Sequence, residues 1–379
     1  MKKTLIALAV LGAAAGVAHA QSNVTIYGIV DTGFIKKSGQ DVEMGENVNN
    51  RLGFRGVEDL GSGVKATFEL ERRFDLNNGI EKGDSKPGYD GAANVGLKSD
   101  TWGAVRLGRV NELTTETIRK FDPFYQYGVG AMLEGNQRSP RISNTIRYDS
   151  PNWSGFHFGA SYSLGGNTDD DTIDYSKNAN GKTDMSVLKE DGADNDGYGI
   201  MLGYDNGPLA LVANWSRLAD SKKSSVWNLG AAYRFGDAKV ELLYQQTQDK
   251  GWANGEASNW NDATSDFNKW MTNKYGVTTV GAIDEIKEKQ WLLGLEWKLG
   301  PGRLNASAQW MEVEVDGLAD ISDKDVYKYA IGYTYDLSKR TAIYGNVAYT
   351  DYDDEETARL YGDADDGTYG VQVGITHKF

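Results

Sequence analysis

Tyr198-Gly199-Ile200-Met201-Leu202-Gly203-Tyr204 is the stretch that decides the fold, because aromatic and aliphatic residues occupy its alternate positions. Successive side chains of a β-strand point to opposite faces, so this pattern predicts a strand with one apolar face. That face has a tyrosine at each end and aliphatic side chains between them. Strands that cross a membrane in a barrel show this arrangement, since aromatic rings line both interfaces and aliphatic groups face the lipid.

The same alternation recurs along the chain, in the segments 64–76, 226–235, 290–299 and 325–335. A soluble β-sandwich alternates as well, so the period alone leaves both classes open. Two features favour the membrane class. Aromatic residues recur at the ends of the apolar faces, and the opposite faces carry charged residues and glycine. Faces of the second kind suit a water-filled interior better than a packed core.

The connections between the strands alternate in length. Short turns are predicted at 60–63, 100–103, 151–155, 205–208, 236–238, 300–302 and 336–339, and longer polar loops at 37–49, 77–91, 111–142, 165–193, 219–224, 249–288, 316–324 and 353–366. Seven turns, eight loops and both chain ends on the short-turn side give sixteen strands. A closed barrel satisfies every backbone donor and acceptor within lipid, whereas an open sheet does not. We therefore predict an all-β fold, a transmembrane antiparallel β-barrel of sixteen strands.

Residues 1–20 have the features of a signal peptide, and the barrel is assigned to residues 21–379. Lys2 and Lys3 form a positive start, residues 4–17 are apolar, and Ala18-His19-Ala20 is a cleavage site before Gln21. The chain contains no cysteine, which excludes disulfides and thiol chemistry. Its formal net charge of −14 argues against nucleic acid as a partner, because nucleic-acid-binding surfaces are basic.

The segment 111–142 is too long for a simple connection. About thirty residues without strand periodicity in a compact fold are either disordered or functional. The segment combines aromatic and charged residues, namely Phe121, Phe124, Tyr125, Tyr127, Glu112, Glu116, Asp122, Glu134, Arg138 and Arg141. It is too aromatic for a disordered linker and too charged for a core segment. We interpret it as a loop that folds into the water-filled barrel and narrows the channel.

Three ordered motifs carry a resemblance to a known family. They are Tyr27-Gly28-x-x-Asp31, Arg51-Leu52-Gly53-Phe54-x-Gly56-x-Glu58-Asp59-Leu60-Gly61-x-Gly63 and Gly96-Leu97-x-x-x-x-Trp102-Gly103-x-x-x-Leu107-Gly108-Arg109. Together with the terminal Phe379, they resemble the trimeric general porins of Gram-negative outer membranes, and the beta-proteobacterial branch in particular. The resemblance extends over the whole mature chain.

The resemblance implies a multi-pass protein of the cell outer membrane that forms a homotrimer, with its third extracellular loop folded inward. It also implies a channel for passive diffusion of ions and small hydrophilic solutes, without a cofactor. The partners it implies are outer-membrane lipids, lipopolysaccharide bridged by divalent cations, and the barrel-insertion machinery, which would read Phe379 as an assembly signal. A substrate-selective channel for a sugar or an organic anion stays open as the alternative function.

Inward charges near the segment 111–142 are the candidates for the constriction. Alternation directs Arg51 and Arg55 inward on the second strand, and in the family a basic cluster on the wall faces acids on the inward loop. Arg51 matches a basic wall position and Glu71 an acidic one. The full set of candidates is Arg51, Arg55, Glu69, Glu71, Arg73, Arg106, Glu116, Asp122, Glu134, Arg138, Arg141 and Arg147.

We expect the wall arginines Arg51, Arg55 and Arg73 to face Glu116 and Asp122 across a narrow waist. Wall arginines outnumber acids near that waist, so we expect a mild preference for anions. The alternative is that these residues are ordinary solvated charges of the channel interior.

Arg109 resembles a family position at which an arginine receives an acid from the second loop of a neighbouring subunit. That loop, residues 77–91, contains Glu81, Asp84 and Asp90. A second interpretation stays open, in which Arg109 is an interior arginine on the same strand as Arg106.

Metal sites are weakly supported. Residues 169–171 and the acids Asp191, Asp194 and Asp196 lack the spacing of a calcium loop, so we predict no metal site there and interpret them as part of a solvated acidic loop. The longest loop, 249–288, contains several aromatic residues, and we interpret it as an extracellular lid.

Catalysis is also unsupported by the sequence. Of three histidines, His19 lies in the signal peptide and His377 on an outward face. Only His157 can face the interior, and no nucleophile motif accompanies it. We therefore predict that the protein is not an enzyme. A soluble β-rich binding protein is the remaining rival class.

Overall fold

The computed structural model describes residues 23–80, 88–133, 141–165, 171–177, 183–189, 196–218, 224–249, 285–316, 323–361, 363 and 365–379. The predicted signal peptide, Glu134, Arg138 and most of the predicted lid lie outside these residues. The strands are β1 (Asn23–Lys37), β2 (Glu43–Gly45), β3 (Arg51–Gly61), β4 (Val64–Arg73), β5 (Ala92–Ser99), β6 (Gly103–Asn111), β7 (Arg141–Asp149), β8 (Phe156–Ser163), β9 (Asp171–Lys177), β10 (Thr183–Lys189), β11 (Gly197–Asn206), β12 (Leu209–Arg217), β13 (Ser225–Phe235), β14 (Ala238–Asp249), β15 (Glu285–Leu299), β16 (Gly302–Asp316), β17 (Lys324–Asp336), β18 (Thr341–Tyr352) and β19 (Gly367–Lys378).

The first and last strands close the barrel. The first half of β1 pairs antiparallel with β3, and its second half pairs antiparallel with β19. Gly28 and Phe379 exchange two backbone hydrogen bonds, each of 3.1 Å. Sixteen strands form the closed antiparallel barrel, as predicted. The short β2 pairs with β1 inside the first loop, and β9 and β10 form a separate hairpin in a region predicted to be irregular.

The connections follow the predicted alternation of short turns and long loops. All seven turns lie at the predicted positions along the described chain. Gly236 and Gly300 have φ values of 60° and 61°, a left-handed conformation that glycine adopts without steric cost. Two of the long loops contain short helices, Leu113–Ile118 and Glu355–Leu360. None of the described helices is long and apolar enough to cross a membrane.

The outward face is apolar, with aromatic residues at both ends of the strands. Ile200 and Leu202 leave 59% and 65% of their surface exposed, as only a lipid environment would favour. Toward the loops, the ring of Tyr198 lies 5.4 Å from that of Trp215, and the ring of Trp227 lies 4.8 Å from that of Tyr244. Toward the turns, Phe156 lies 4.6 Å from Tyr204 and Tyr233 lies 4.5 Å from Phe235. These pairs are the two predicted girdles.

The inward face differs in one respect from the prediction of charges and glycine. On β11 to β15 it carries a buried apolar patch, Met201, Val212, Ala232, Leu243 and Leu292. Leu113, Ile118 and Phe121, from the connection between β6 and β7, pack against this patch. Gly230 permits the approach, since a Cβ there would lie 2.9 Å from the Phe121 ring. Burial of each large apolar side chain contributes about 1.5–3 kcal/mol, so the connection is held firmly to this wall.

Candidate functional site

The segment 112–133, which connects β6 to the undescribed residues before β7, begins with a capped helix. The Glu112 carboxylate accepts a hydrogen bond from the Thr115 amide at 2.8 Å, which caps the helix Leu113–Ile118. Its other oxygen accepts a hydrogen bond from Ser216 Oγ on β12 at 2.7 Å. One buried carboxylate therefore both starts the helix and attaches it to the wall.

Asp122 holds the second half of the segment in shape. Its carboxylate accepts hydrogen bonds from the amides of Phe124 at 2.9 Å, Gln126 at 2.8 Å and Met132 at 3.0 Å. Tyr125 and Gln126 have φ values of 55° and 63°, an unfavourable conformation for residues other than glycine. Asp122 is fully buried. The prediction of Asp122 as a water-facing charge of the waist was therefore wrong, since its carboxylate is satisfied by backbone amides.

Four wall side chains bind the backbone of the segment. Lys239 on β14 donates to the Lys120 carbonyl at 2.7 Å, and Lys328 on β17 donates to the Ala131 carbonyl at 2.8 Å. Gln309 on β16 accepts from the Leu133 amide at 2.7 Å, and Gln372 on β19 accepts from the Val129 amide at 3.3 Å. These anchors place the segment against strands far from the two that it connects.

An arginine cluster, defined as Arg51, Arg73, Arg119 and Arg141, lies beside Glu71, and the Tyr27 hydroxyl bridges the carboxylates of Glu71 and Glu69. Arg73 Nη2 lies 2.7 Å from Glu71 Oε1, and Arg51 Nη1 lies 3.8 Å from Oε2. Arg141 interacts electrostatically with Arg73, Glu71 and Arg119. Arg141 was predicted to end the long loop, but it is the first residue of β7. The cluster thus joins three wall strands to the segment and carries an excess of positive charge.

Tyr127 connects the two sides of the arginine cluster. Its hydroxyl accepts a hydrogen bond from Arg51 Nη2 at 3.1 Å, and the Arg119 guanidinium lies 5.6 Å from its ring centroid. Burial alone would raise the pKa of Tyr127, but the charges of Arg51 and Arg119 and the hydrogen bond outweigh it and lower the pKa below the usual value for tyrosine. The Tyr125 hydroxyl donates a hydrogen bond to the Glu296 carboxylate on β15 at 3.0 Å, and the pKa of Tyr125 is raised by burial and by that carboxylate.

This difference predicts a pH-dependent charge at the cluster. As pH rises toward about 10, Tyr127 should lose its proton before an ordinary tyrosine does, and its phenolate should cancel one arginine charge. We expect any anion preference to fall several-fold over that range in the unmodified protein, and to fall less in Tyr127→Phe. Reversal potentials in a salt gradient at increasing pH measure the effect. Tyr125→Phe is the matched control and should behave like the unmodified protein.

A second group of charges lies on β6, β7 and the helix Leu113–Ile118, and it is internally compensated. Arg147 pairs with Asp149 at 2.9 Å and with Glu116 at 2.5 Å, and Arg106 pairs with Asp149 at 2.7 Å. The expected opposition of Glu116 to Arg51 and Arg73 was therefore wrong, because Glu116 is held by Arg147. Asp149, which was not predicted from the sequence, balances the two arginines together with Glu116.

Glu69 lies next to the arginine cluster, because the Tyr27 hydroxyl bonds to Glu69 at 2.8 Å and to Glu71 at 3.2 Å. Exposed Arg55 lies 5.1 Å from the centroid of the Tyr27 ring. Arg55 therefore does not face Asp122 or Glu116. Arg109 donates to the Asp90 carbonyl and to Ser143 Oγ, both at 2.9 Å. Glu81 and Asp84, its predicted partners from a neighbouring subunit, lie outside the described residues, as do Glu134 and Arg138.

Two polar clusters at the turn side of the segment were missed from the sequence. Lys120 Nζ and His157 Nε2 each lie 2.8 Å from the carboxylate of Asp205. Lys239 lies 2.6 Å from Glu241 and 2.8 Å from Glu296. Alternation could have placed the strand residues on the inner face, but no local signal assigns their partners. Within the described ranges, no group of three or more His, Cys, Asp or Glu residues could hold a metal ion.

Comparisons with known proteins agree with this architecture. A model of the Gram-negative porin family matches residues 7–355. An outer membrane porin protein of Bordetella pertussis is 31% identical over 413 aligned positions, and outer membrane porin protein 32 of Delftia acidovorans is 32% identical over 415, each alignment covering 100% of both chains. The solved anion-selective porin from Comamonas acidovorans has a TM-score of 0.68 and 27% identity, covering 95% of this chain and 100% of its own.

Proposed function

The chain belongs to the Gram-negative porin family, and from this premise we propose that it sorts solutes by charge at one waist beside the segment 112–133. It is an outer-membrane porin whose barrel forms a water-filled channel for passive diffusion of ions and small hydrophilic solutes. The family is one of channels, so we propose no catalytic role for His157, the histidine that pairs with Asp205.

The segment 112–133 is, in this proposal, an inward-folded loop that narrows the channel. Its apolar side packs against the inner wall of β11 to β15, and its backbone is bound by side chains of β14, β16, β17 and β19. A connection that reaches so many strands beyond its own two occupies part of the interior. The passage that remains runs along the opposite side, beside the arginine cluster.

The observation that carries the proposed selectivity is the excess of arginine at this passage. Arg51 and Arg73 pair with Glu71, Arg141 interacts electrostatically with it, and Arg119 lies at the ring of Tyr127. Narrow rings of charge set the selectivity of channels, because ions pass them at close range. We propose a preference for anions. The Comamonas acidovorans relative is described as anion-selective, which supports the proposal for a chain that is 27% identical to it.

Charge changes at the cluster test this selectivity. A unit charge ~4 Å from a passing ion contributes on the order of 1–4 kcal/mol, between the dielectric of water and that of a protein surface. Arg51→Ala should move the reversal potential in a tenfold salt gradient toward cation preference by a few-fold in permeability ratio. Glu71→Gln should move it toward anions. Unchanged potentials in both variants, with a shift in Asp262→Asn of the long loop, would mean that the waist lies elsewhere.

We propose further that the protein matures by cleavage before Gln21 and assembles as a homotrimer, with Arg109 at the contact. Asp90, whose carboxylate accepts from the Arg73 amide at 3.0 Å, connects the second long loop to the wall beside Arg109. This contact fixes the end of that loop beside Arg109, the arginine at which we propose the loop of a neighbouring subunit arrives. Outer-membrane lipids, lipopolysaccharide and the barrel-insertion machinery are the other proposed partners.

A further inference from the structure

A cavity of about 470 Å³ lies on the turn side of the segment 112–133, between residues 123–127 and the strands β1, β3 and β16 to β19. Six basic residues line it: Arg51, Arg119, Arg303, Lys339, Arg340 and Lys378. Among the described residues that line it, Asp336 is the one acid. A chain with a formal net charge of −14 therefore concentrates positive charge in this space.

Most of this positive charge has no acidic partner. Arg51 is compensated by Glu71, and Arg303 Nε lies 3.6 Å from Glu296. Lys339, Arg340 and Lys378 have no carboxylate within 4.0 Å in the described part of the chain. Cations left unpaired around a small cavity raise the local concentration of anions. The side of the cavity formed by the β17–β18 turn thus differs from the arginine cluster, where Glu71 is shared.

The remaining lining suits an organic ligand better than a bare ion. It combines aromatic faces with amides and hydroxyls, among them Tyr125, Tyr127, Asn305, Asn346, Thr334 and Thr341. The Arg303 guanidinium lies 5.8 Å from the centroid of the Tyr125 ring, so a cation and a flat apolar surface stand side by side. Volumes of roughly 300–1,000 Å³ with a few convergent polar groups are typical of small-molecule sites.

We propose that this cavity is a binding site for phosphorylated sugars on their way through the channel, a proposal that rests on the anion preference above. The phosphate group binds the unpaired cations of the β17–β18 turn, since guanidinium and ammonium groups are the usual partners of phosphate. The sugar lies against the tyrosine rings, and its hydroxyls bond to the asparagine and threonine side chains. Binding is weak, because a channel site must release its solute as readily as it accepts it.

Single-channel recording on the full mature protein tests the proposal. Glucose 6-phosphate added at the turn side should interrupt the current at millimolar concentration, more strongly than inorganic phosphate or glucose. Arg340→Gln should reduce the frequency or duration of these interruptions about three- to ten-fold. Arg234→Gln is the matched control, because Arg234 lies at the same end of the barrel, on β13, and does not line the cavity. It should leave the interruptions unchanged.

Three outcomes would overturn the site. The first is that inorganic phosphate interrupts the current as strongly as glucose 6-phosphate does. The second is that glucose 6-phosphate interrupts the current of Arg340→Gln as strongly as that of the unmodified channel. The third is that glucose 6-phosphate causes no interruptions at all. Reversal potentials in potassium chloride, recorded on the same channels, separate this failure from that of the proposed function. Anion preference without sugar-phosphate interruptions rejects the site and leaves the selectivity standing. Cation preference in the unmodified channel rejects the proposed selectivity itself.

Discussion

Replacing Asp122 with alanine should widen the channel and make its current unstable. The substitution leaves the amides of Phe124, Gln126 and Met132 buried without an acceptor, and each such group costs about 1–3 kcal/mol. It also removes the hydrogen bond from the Gln126 amide, which stabilises the left-handed backbone at that residue. The second half of the segment should then lose its fixed conformation. The barrel should stay intact, because the backbone hydrogen bonds between its strands are unchanged.

Single-channel conductance and current noise measure this effect. Asp122→Asn should be intermediate, because one amide oxygen can still accept from two of the three donors. Asp196→Ala is the matched control, since Asp196 also accepts a backbone amide, that of Gly165, but lies on the exposed outer side. The unfolding temperature of the barrel should be nearly the same in all three variants. A quiet current of unmodified conductance in Asp122→Ala would show that the wall anchors alone hold the segment.

Deleting Phe379 should reduce the yield of assembled protein far more than its contacts account for. In the fold, Phe379 contributes two backbone hydrogen bonds to Gly28 and a ring that covers that glycine. Its ring is 45% exposed, so its burial contributes less than the 1.5–3 kcal/mol of a fully buried side chain. Nine further residue pairs hold β19 to β1. A large loss of assembly would therefore reflect recognition of the terminal aromatic by the insertion machinery.

The variant Gly28→Ala separates recognition of Phe379 by the insertion machinery from packing of the Phe379 ring in the fold. A Cβ at Gly28 would lie 2.3 Å from the tip of the Phe379 ring and 2.6 Å from the Arg51 carbonyl oxygen, so this variant displaces the ring and strains the β1–β3 pairing while it keeps the terminal aromatic. We expect a reduced yield of a compact, boiling-sensitive oligomer from Gly28→Ala, and a far lower yield from the chain that ends at Lys378. Gly345→Ala, whose Cβ would have an ordinary contact at 3.7 Å, is the control. If the deletion and Gly28→Ala lose assembly equally, packing at the closure explains both.

The strands and turns were predictable because lipid on one side and water on the other impose a period of two. The segment 112–133 was predictable as a special region, since it breaks that period. The residues that bind the charged side chains of this segment were not predictable. Asp122 and Glu116 are both acids in a loop, and nothing local distinguishes the one that binds three amides from the one that pairs with Arg147. Such assignments depend on the path of the chain, which only tertiary contacts determine.

Other features that the prediction missed did leave a signal in the sequence. Leu292 lies between Trp291 and Leu293, and Leu243 follows Leu242, so these strands are apolar on both faces. Two apolar faces indicate that something covers the inner one, and here Leu113 and Phe121 do so. Arg141 was placed in the loop because the ladder between β6 and β7 is irregular near Gly108, which hides the start of β7. Strand periodicity therefore fails where a bulge or a second packing partner intervenes.

The anchors of the segment 112–133 also bear on how such a channel can diverge. Lys239, Lys328, Gln309 and Gln372 bind backbone atoms of the segment, which every sequence possesses. The identity of the segment side chains that face the passage is therefore not constrained by these bonds. Descendants can exchange residues such as Arg119 or Tyr127 and acquire new solute preferences while they inherit the same chain path. The attachment of the segment to the wall and the solute preference of the channel can therefore evolve separately.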